Sequence, residues 1–331
     1  MSWTEDHTVG GRVTIRDVLF DAEHRLGRVG VPSPNVDAAE LVAFALGTTR
    51  SRLFLQDQIT GEQKVRVEQL LARRLTRVPL QHLLGTAGFR HIEVEVGPGV
   101  FIPRPETELV TEAGLRELAA QPLGQRIGVD LCSGSGAIAI SLALEVEGSR
   151  VHAVELSDDA ITWTRRNVSA YEDRVAAKGS RVEVLHDDAT TVADPGHPLA
   201  RLTGQVAVVV TNPPYIPDAM IPREPEVRDH EPGMALYGGD DGMDVIRGVL
   251  RTAAILLRPG GLVVIEHADV QGLGAGVAGV PAVTSALVAD ASLSSLTGVP
   301  VGQPLFTAVA DRIDLNGLPR FTLARRSGAS S

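Results

Sequence analysis

Apolar residues recur at helical spacing through the first 80 positions of the chain and at strand spacing beyond them. Thr14 with Asp17 three residues later resembles a capping box, and Ile15, Val18, Leu19, Ala22 and Leu26 follow at helical spacing. A second helix is expected over 35–46, closed by Gly47, and a third opens at Thr60 with Gln63 in capping-box position. The third carries Val67, Leu70, Leu71 and Leu75 and stops before Pro79; its charged positions, such as Arg73 and Arg74, are expected on solvated surface. A small helical domain over 1–80 is the expected outcome.

From Gly88 the period becomes two, with Ile92, Val94 and Val96 on one side and Glu93 and Glu95 on the other. This pattern predicts a half-buried strand in a hairpin, within a link over 81–104. The prolines of 101–108 forbid regular structure until a helix starts near Pro105, so this stretch is either a rigid linker or a wall of the active site.

Beyond Arg126 strands at Ile127–Leu131, 151–156, 182–186, Val206–Thr211 and 262–266 alternate with helices at Ala137–Glu145, 158–170 and 244–257. That βαβ rhythm predicts an α/β, Rossmann-like parallel sheet with helices on both faces, spanning 105–331. Ligands of such sheets bind beyond the carboxyl ends of the strands. Residues 272–304, rich in Ala, Gly, Val and Ser, are expected to form a helix or strand pair with a long loop. Residues 320–325 read as a final edge strand and 327–331 as a frayed tail.

Composition narrows the function. With 331 residues, 44% hydrophobic, there is enough apolar material for a core. A net charge of −10 disfavours affinity won by neutralising phosphates, so no direct nucleic-acid binding is expected. The single cysteine, Cys132, excludes an internal disulfide and fits a reducing, cytoplasmic setting. Residues 1–12 carry acids and no apolar h-region, so no signal peptide is expected, and no apolar run is long enough for a membrane span. His82, His186, His230 and His267 lack a ligand spacing, and no metal is expected.

The chemistry gathers at the strand ends. The first strand runs through Asp130 into Leu131-Cys132-Ser133-Gly134-Ser135-Gly136, a glycine turn that lets a ligand approach the backbone, as well as a common structural turn. The next strand ends at Glu155, where an acid commonly holds ribose hydroxyls or simply faces solvent. The third ends in Asp187-Asp188, followed by Ala189, which suits an adenine amino group or a turn cap. The fourth ends in Asn212-Pro213-Pro214-Tyr215. Two prolines fix the chain in an extended path with free carbonyls, and these, with the Asn212 side-chain oxygen, suit an acceptor –NH2 group. Tyr215 offers an aromatic face to a flat group, while Asn-Pro alone is also a turn signal.

In that order the strand ends resemble S-adenosylmethionine-dependent methyltransferases with an amino-nitrogen site. More narrowly, the chain resembles the peptide chain release factor glutamine methyltransferases of the HemK/PrmC type. The closer likeness rests on Pro79-Leu80-Gln81-His82 with Leu84-Gly85, on 97–108, on 130–136, on 212–217 and on Glu231-Pro232 through Gly238-Gly239-Asp240-Asp241-Gly242. It implies S-adenosyl-L-methionine as cofactor and, as partner and substrate, class-1 release factors methylated on the glutamine of a Gly-Gly-Gln motif. It implies that Asp130, Cys132, Ser133, Gly134, Ser135 and Gly136 form the cofactor loop, with Gly134 and Gly136 against the methionine part. Glu155 would hold the ribose and Asp188 with Ala189 the adenine; Ala189 stands where the family often has a bulkier residue. Asn212 and the Pro213 carbonyl would accept from the amide nitrogen, Pro214 and Tyr215 would pack on it, and Arg104 and Thr107 would line the substrate or methionine end. A monomer is expected, with the helical domain docking the release factor. A glutamine methyltransferase of a ribosomal protein, an amino-nitrogen methyltransferase of adenine or guanine in nucleic acid, and a non-catalytic adenosine-binding module remain alternatives.

Overall fold

The computed structural model describes residues 14–328, and the chain forms two compact units. Among the described residues, one comprises 14–85 together with Pro222–His230, and the other the rest. Residues 1–13, and 329–331 of the tail expected over 327–331, lie outside the described residues.

The helical unit is built from α1 (Ile15–Arg28), α2 (Pro34–Leu46), α3 (Gly61–Leu75) and the short α4 (Leu80–Leu84). The caps are local. The Thr14 hydroxyl accepts from the Asp17 N–H at 3.2 Å, and Thr60 and Gln63 satisfy each other's N–H groups as a capping box. Leu26, Leu41 and Leu71 pack together as the centre of its core. Arg74 corrects the expected solvated surface. It is 4% exposed, because Val67, Leu71 and Arg74 follow one another at intervals of four and three and share the buried face of α3. Its charge is met there: Nε lies 2.7 Å from Asp37 of α2 and Nη2 lies 2.8 Å from Glu226.

The second unit opens with a hairpin, β1 (Thr86–Phe89) and β2 (Ile92–Glu95), followed by α5 (Pro105–Ala119). The sheet elements then alternate: β3 (Ile127–Leu131), α6 (Ala137–Glu145), β4 (Arg150–Glu155), α7 (Asp158–Ala176), β5 (Arg181–His186) and β6 (Val206–Thr211). The helical unit's second contribution, α8 (Pro225–His230), intervenes before α9 (Asp244–Leu256) and β7 (Leu257–Glu266). The chain closes with α10 (Val280–Ala286), α11 (Ala291–Thr297), β8 (Phe306–Ile313) and β9 (Pro319–Arg326).

The seven strands lie in the order β5-β4-β3-β6-β7-β9-β8. The five from β3 to β7 are parallel, and β9 and β8 join antiparallel. Apolar side chains cover both faces, as a doubly covered sheet requires. Val129 and Val209 enter one core with α9, while Val208 and Val210 enter the other with α5 and α6.

One expectation is revised here. The strand at 320–325 is not an edge, because β8 pairs outside it. Of the alternatives for residues 272–304, the helical one is found: α10 and α11 follow short 3-10 turns. Among the described residues no helix is long and apolar enough to cross a membrane.

Candidate active site

Because β3 to β6 are parallel and in register, their carboxyl ends open on one edge of the sheet. Along that edge lies a cavity of about 260 Å³.

The loop after β3 forms its floor. Cys132, Gly134 and Gly136 all have positive φ, of 64°, 55° and 81°, so the backbone coils tightly before entering α6. At Gly136, the N-terminal cap of that helix, a side chain would also press on Thr164. The coil is pinned from α7: the Thr164 hydroxyl donates to the Gly134 carbonyl at 2.6 Å and Asn167 Nδ2 to the Ser135 carbonyl at 2.9 Å. Asp130 lies beneath the loop, fully buried, and accepts from the Ala139 N–H at 3.0 Å. Burial pushes its carboxyl well above the usual range, a hydrogen bond from Ala139 opposes this, and the nearby Glu155 adds to it.

Glu155 closes β4. Its Oε2 accepts from the Gly134 N–H at 2.7 Å and its Oε1 from the Ser157 N–H at 2.8 Å. Burial raises its pKa, while these backbone hydrogen bonds hold it down. Each carboxylate oxygen keeps a second lone pair, so an acceptor remains for ligand hydroxyls at the cavity wall. After β5, Asp188 Oδ1 receives both the N–H and the hydroxyl of Thr190, at 2.8 and 2.7 Å, and Ala189 is buried beside it.

The tetrapeptide after β6 lies on the opposite wall. The Thr211 hydroxyl ties the strand end to the Leu131 carbonyl at 2.7 Å. Asn212 Nδ2 donates to Thr107 Oγ1 at 3.3 Å, so its Oδ1 is the end left to accept from a ligand. The path beyond Tyr215 is clamped by residues 236–242: Ile216 N–H donates to Leu236 O at 2.8 Å and Gly238 N–H to Ile216 O at 2.9 Å. The clamp needs glycine. A Cβ on Gly238 would lie 2.7 Å from the Pro214 carbonyl, and one on Gly242, at φ 74°, would collide with the Tyr215 carbonyl. Gln271 Nε2 donates to that same carbonyl at 2.9 Å.

Among the residues expected at the site, Cys132, Ser133, Gly134, Ser135, Glu155, Asp188, Ala189, Thr107, Asn212, Pro214 and Tyr215 line the cavity. Asp130, Gly136 and Pro213 support it without lining it. Arg104 is turned to Glu231, 2.6 Å away, and stacks over the Phe101 ring. The stretch suspected as linker or wall does contribute Phe101 and Pro103 to the cavity. Sequence reasoning missed Leu156 and the segment Pro232, Met234 and Leu236, all of which line it. Leu156 had a usable signal, being a bulky apolar residue next to the strand-end acid and half exposed.

An adenosine–methionine ligand fits this donor set. The coiled glycine loop leaves open space above Gly134, Glu155 offers free lone pairs at the next strand end, and Asp188 with Ala189 flanks the third. Fold and site define an S-adenosylmethionine-dependent methyltransferase. Residues 17–85 match the PrmC N-terminal domain and residues 83–227 the family described as Conserved hypothetical protein 95. The chain is 45% identical to release factor glutamine methyltransferase of Streptomyces coelicolor, over 93% of this chain and 97% of that protein. It is 41% identical to the protein of that name from Mycolicibacterium smegmatis, over 96% of this chain and 99% of that one. It is also 38% identical to 4-amino-L-phenylalanine/4-methylamino-L-phenylalanine methyltransferase of Streptomyces pristinaespiralis, over 78% of this chain and 84% of that protein. The chain belongs to the release factor glutamine methyltransferase family.

Proposed function

We propose that this protein methylates the side-chain amide nitrogen of the glutamine in the Gly-Gly-Gln motif of class-1 release factors, in support of translation termination. The observation that carries the reading is Asn212, whose Nδ2 is engaged by Thr107 so that Oδ1 is free to accept from an incoming N–H. The 132–136 loop, Glu155, Asp188 and Ala189 would hold S-adenosylmethionine, which would supply an electrophilic methyl group on a cationic sulfonium.

An amide nitrogen is a poor nucleophile because its lone pair is delocalised into the carbonyl. Positioning therefore does most of the work: Asn212 Oδ1 and the Pro213 carbonyl take the two N–H bonds, and Tyr215 packs against the amide plane. Correct placement of reactants is worth ~7 to 11 kcal/mol, enough to dispense with a dedicated base before transfer. The clamp of Gly238 and Gly242 against the Pro214 and Tyr215 carbonyls supports this role, because it fixes the path of the chain that carries Asn212 and Pro213.

The segment 1–80 is assigned to docking the release factor, 81–104 to the connection and 105–331 to the chemistry. The enzyme is read as cytoplasmic and monomeric, without direct nucleic-acid contact; sedimentation of the purified protein tests the oligomeric state. The decisive experiment is transfer of labelled methyl to purified release factor, to its Gln-to-Ala variant, to nucleic acid and to 4-amino-L-phenylalanine. Label on the wild-type release factor alone supports the reading. Equal label on the variant, or label only on nucleic acid or the free arylamine, overturns it.

A further inference from the structure

Glu266, the last residue of β7, takes no part in the chemistry described so far, yet it is 1% exposed and stands next to it. Thr211 pairs with Ile265, so Asn212 and Glu266 leave adjacent parallel strands at the same level. Thr107, 3% exposed on the first turn of α5, lies between them. Its hydroxyl oxygen accepts from Asn212 Nδ2 at 3.3 Å, and the hydroxyl stands close enough to the Glu266 carboxyl to lower its pKa. Among the described residues, Glu266 Oε2 has no hydrogen-bond partner.

The two ends of a carboxamide have the same shape, so only their partners decide which end faces a ligand. A hydroxyl alone cannot decide it, since it both donates and accepts. A carboxylate can, because it only accepts. Resting on the function proposed above, we infer that Glu266 is a positioning residue: by taking the Thr107 proton it leaves the Thr107 oxygen to accept from Asn212 Nδ2, and so presents Asn212 Oδ1 to the acceptor nitrogen. With the carboxyl protonated the direction is lost. The acid then donates to Thr107, Thr107 donates to Asn212, and the amide turns its N–H groups toward an acceptor that also carries N–H.

The groups facing Glu266 set where this happens. Burial raises its pKa first; the Thr107 hydrogen bond, Arg320 of β9 and Arg104 lower it, and Glu106 raises it, leaving it pushed up to about 7. Arg320 is shared with Asp314 at 3.1 Å and Arg104 with Glu231 at 2.6 Å, so neither cation is committed to Glu266. The Tyr215 phenol is a further titratable neighbour, and burial with the Glu266 charge keeps it protonated; the adjacent His267, buried against Asp311, is held neutral chiefly by burial. Directed orientation therefore appears as pH rises through about 7.

The test is made on the full chain with an intact release factor. In the wild type, kcat/KM for the release factor rises with pH to a plateau, and the Asn212 side-chain amide resonance in a nitrogen-15 spectrum titrates over the same range. Glu266→Ala lowers kcat/KM at high pH roughly 10- to 100-fold, the cost of a lost directing hydrogen bond in a buried site, with the Kd for S-adenosylmethionine unchanged. Glu266→Gln keeps the volume but, like the protonated acid, can donate to Thr107, so it loses the plateau turnover and abolishes the pH step and the resonance shift. Thermal melting separates a folding defect from a functional one in both variants. A Glu266→Gln enzyme with the wild-type pH step, or a folded Glu266→Ala enzyme with wild-type kcat/KM, overturns the inference while leaving the proposed function standing. A wild-type enzyme that methylates no release factor removes both.

Discussion

Glu155 and Gly134 are joined by a 2.7 Å hydrogen bond from the loop N–H to the strand-end carboxylate. One side chain thus does two things, holding the glycine loop in its coil and presenting lone pairs to the cavity. Glu155→Ala is expected to weaken cofactor binding by about 2 to 3 kcal/mol, since a charged acceptor is lost together with the order of the loop. Isothermal titration with S-adenosylmethionine checks this. Binding equal to wild type would remove Glu155 from the site.

Asn212→Ala deletes the acceptor without touching the cofactor loop. Turnover of the release factor is expected to fall at least ~100-fold, by analogy with the loss of one preorganised polar group at a reacting centre, while the Kd for S-adenosylmethionine changes little. Steady-state kinetics alongside titration separates the two effects. Normal turnover would mean that Asn212 has no part in the chemistry.

Gly242→Ala forces a Cβ onto the Tyr215 carbonyl at a positive φ. The strain is of order 1–3 kcal/mol, and relief requires the tetrapeptide to move. The expected variant melts lower and loses turnover more than it loses cofactor binding. Gly260→Ala is the control: also at positive φ, 76°, but with nothing near its Cβ. Equal loss of turnover in both variants would rule out a specific role for the clamp.

Arg74→Met leaves Asp37 and Glu226 facing each other without their shared cation. Removing one partner of a buried pair costs about 3 kcal/mol, so the helical unit should exchange its amide hydrogens faster. The pH dependence has a definite sign. Burial would raise the Glu226 pKa, but hydrogen bonds from Arg77 and Arg74 outweigh it and hold the carboxyl below 4.5. A depressed carboxyl contributes stability that is present above 4.5 and is lost as pH falls toward its folded value. The wild-type unit is therefore expected to loosen in acid below that point. In Arg74→Met this acid step should shrink; hydrogen exchange across an acid series measures it.

The parallel strands and their terminal chemistry were readable because each is local: an apolar run, then a glycine loop, an acid or Asn-Pro-Pro-Tyr. Arg74 was misread for the opposite reason. Its charge is a local signal of exposure, but its partners Asp37 and Glu226 lie 37 and 152 residues away. Strand β8 escaped because half of its residues, Thr307, Ala308, Arg312 and Ile313, are exposed and only Phe306 is buried, which leaves no alternation to detect. Missing β8 is what made β9 look like an edge. Glu266 ends an apolar strand as Asp130 nearly does, yet only the fold brings Thr107, 159 residues earlier, between it and Asn212.

The strained bend at Cys132 also bears on how this enzyme can be handled. Burial and the negative charges of Glu155 and Asp130 push its thiol far above the ordinary range, so the reactive thiolate is scarce at neutral pH. The lone thiol of the chain, half-buried in the cavity wall, is then slow toward alkylating agents and mild oxidants. Assays of this protein should therefore run without a reductant, and iodoacetamide should leave turnover intact over the time that inactivates an ordinary exposed cysteine.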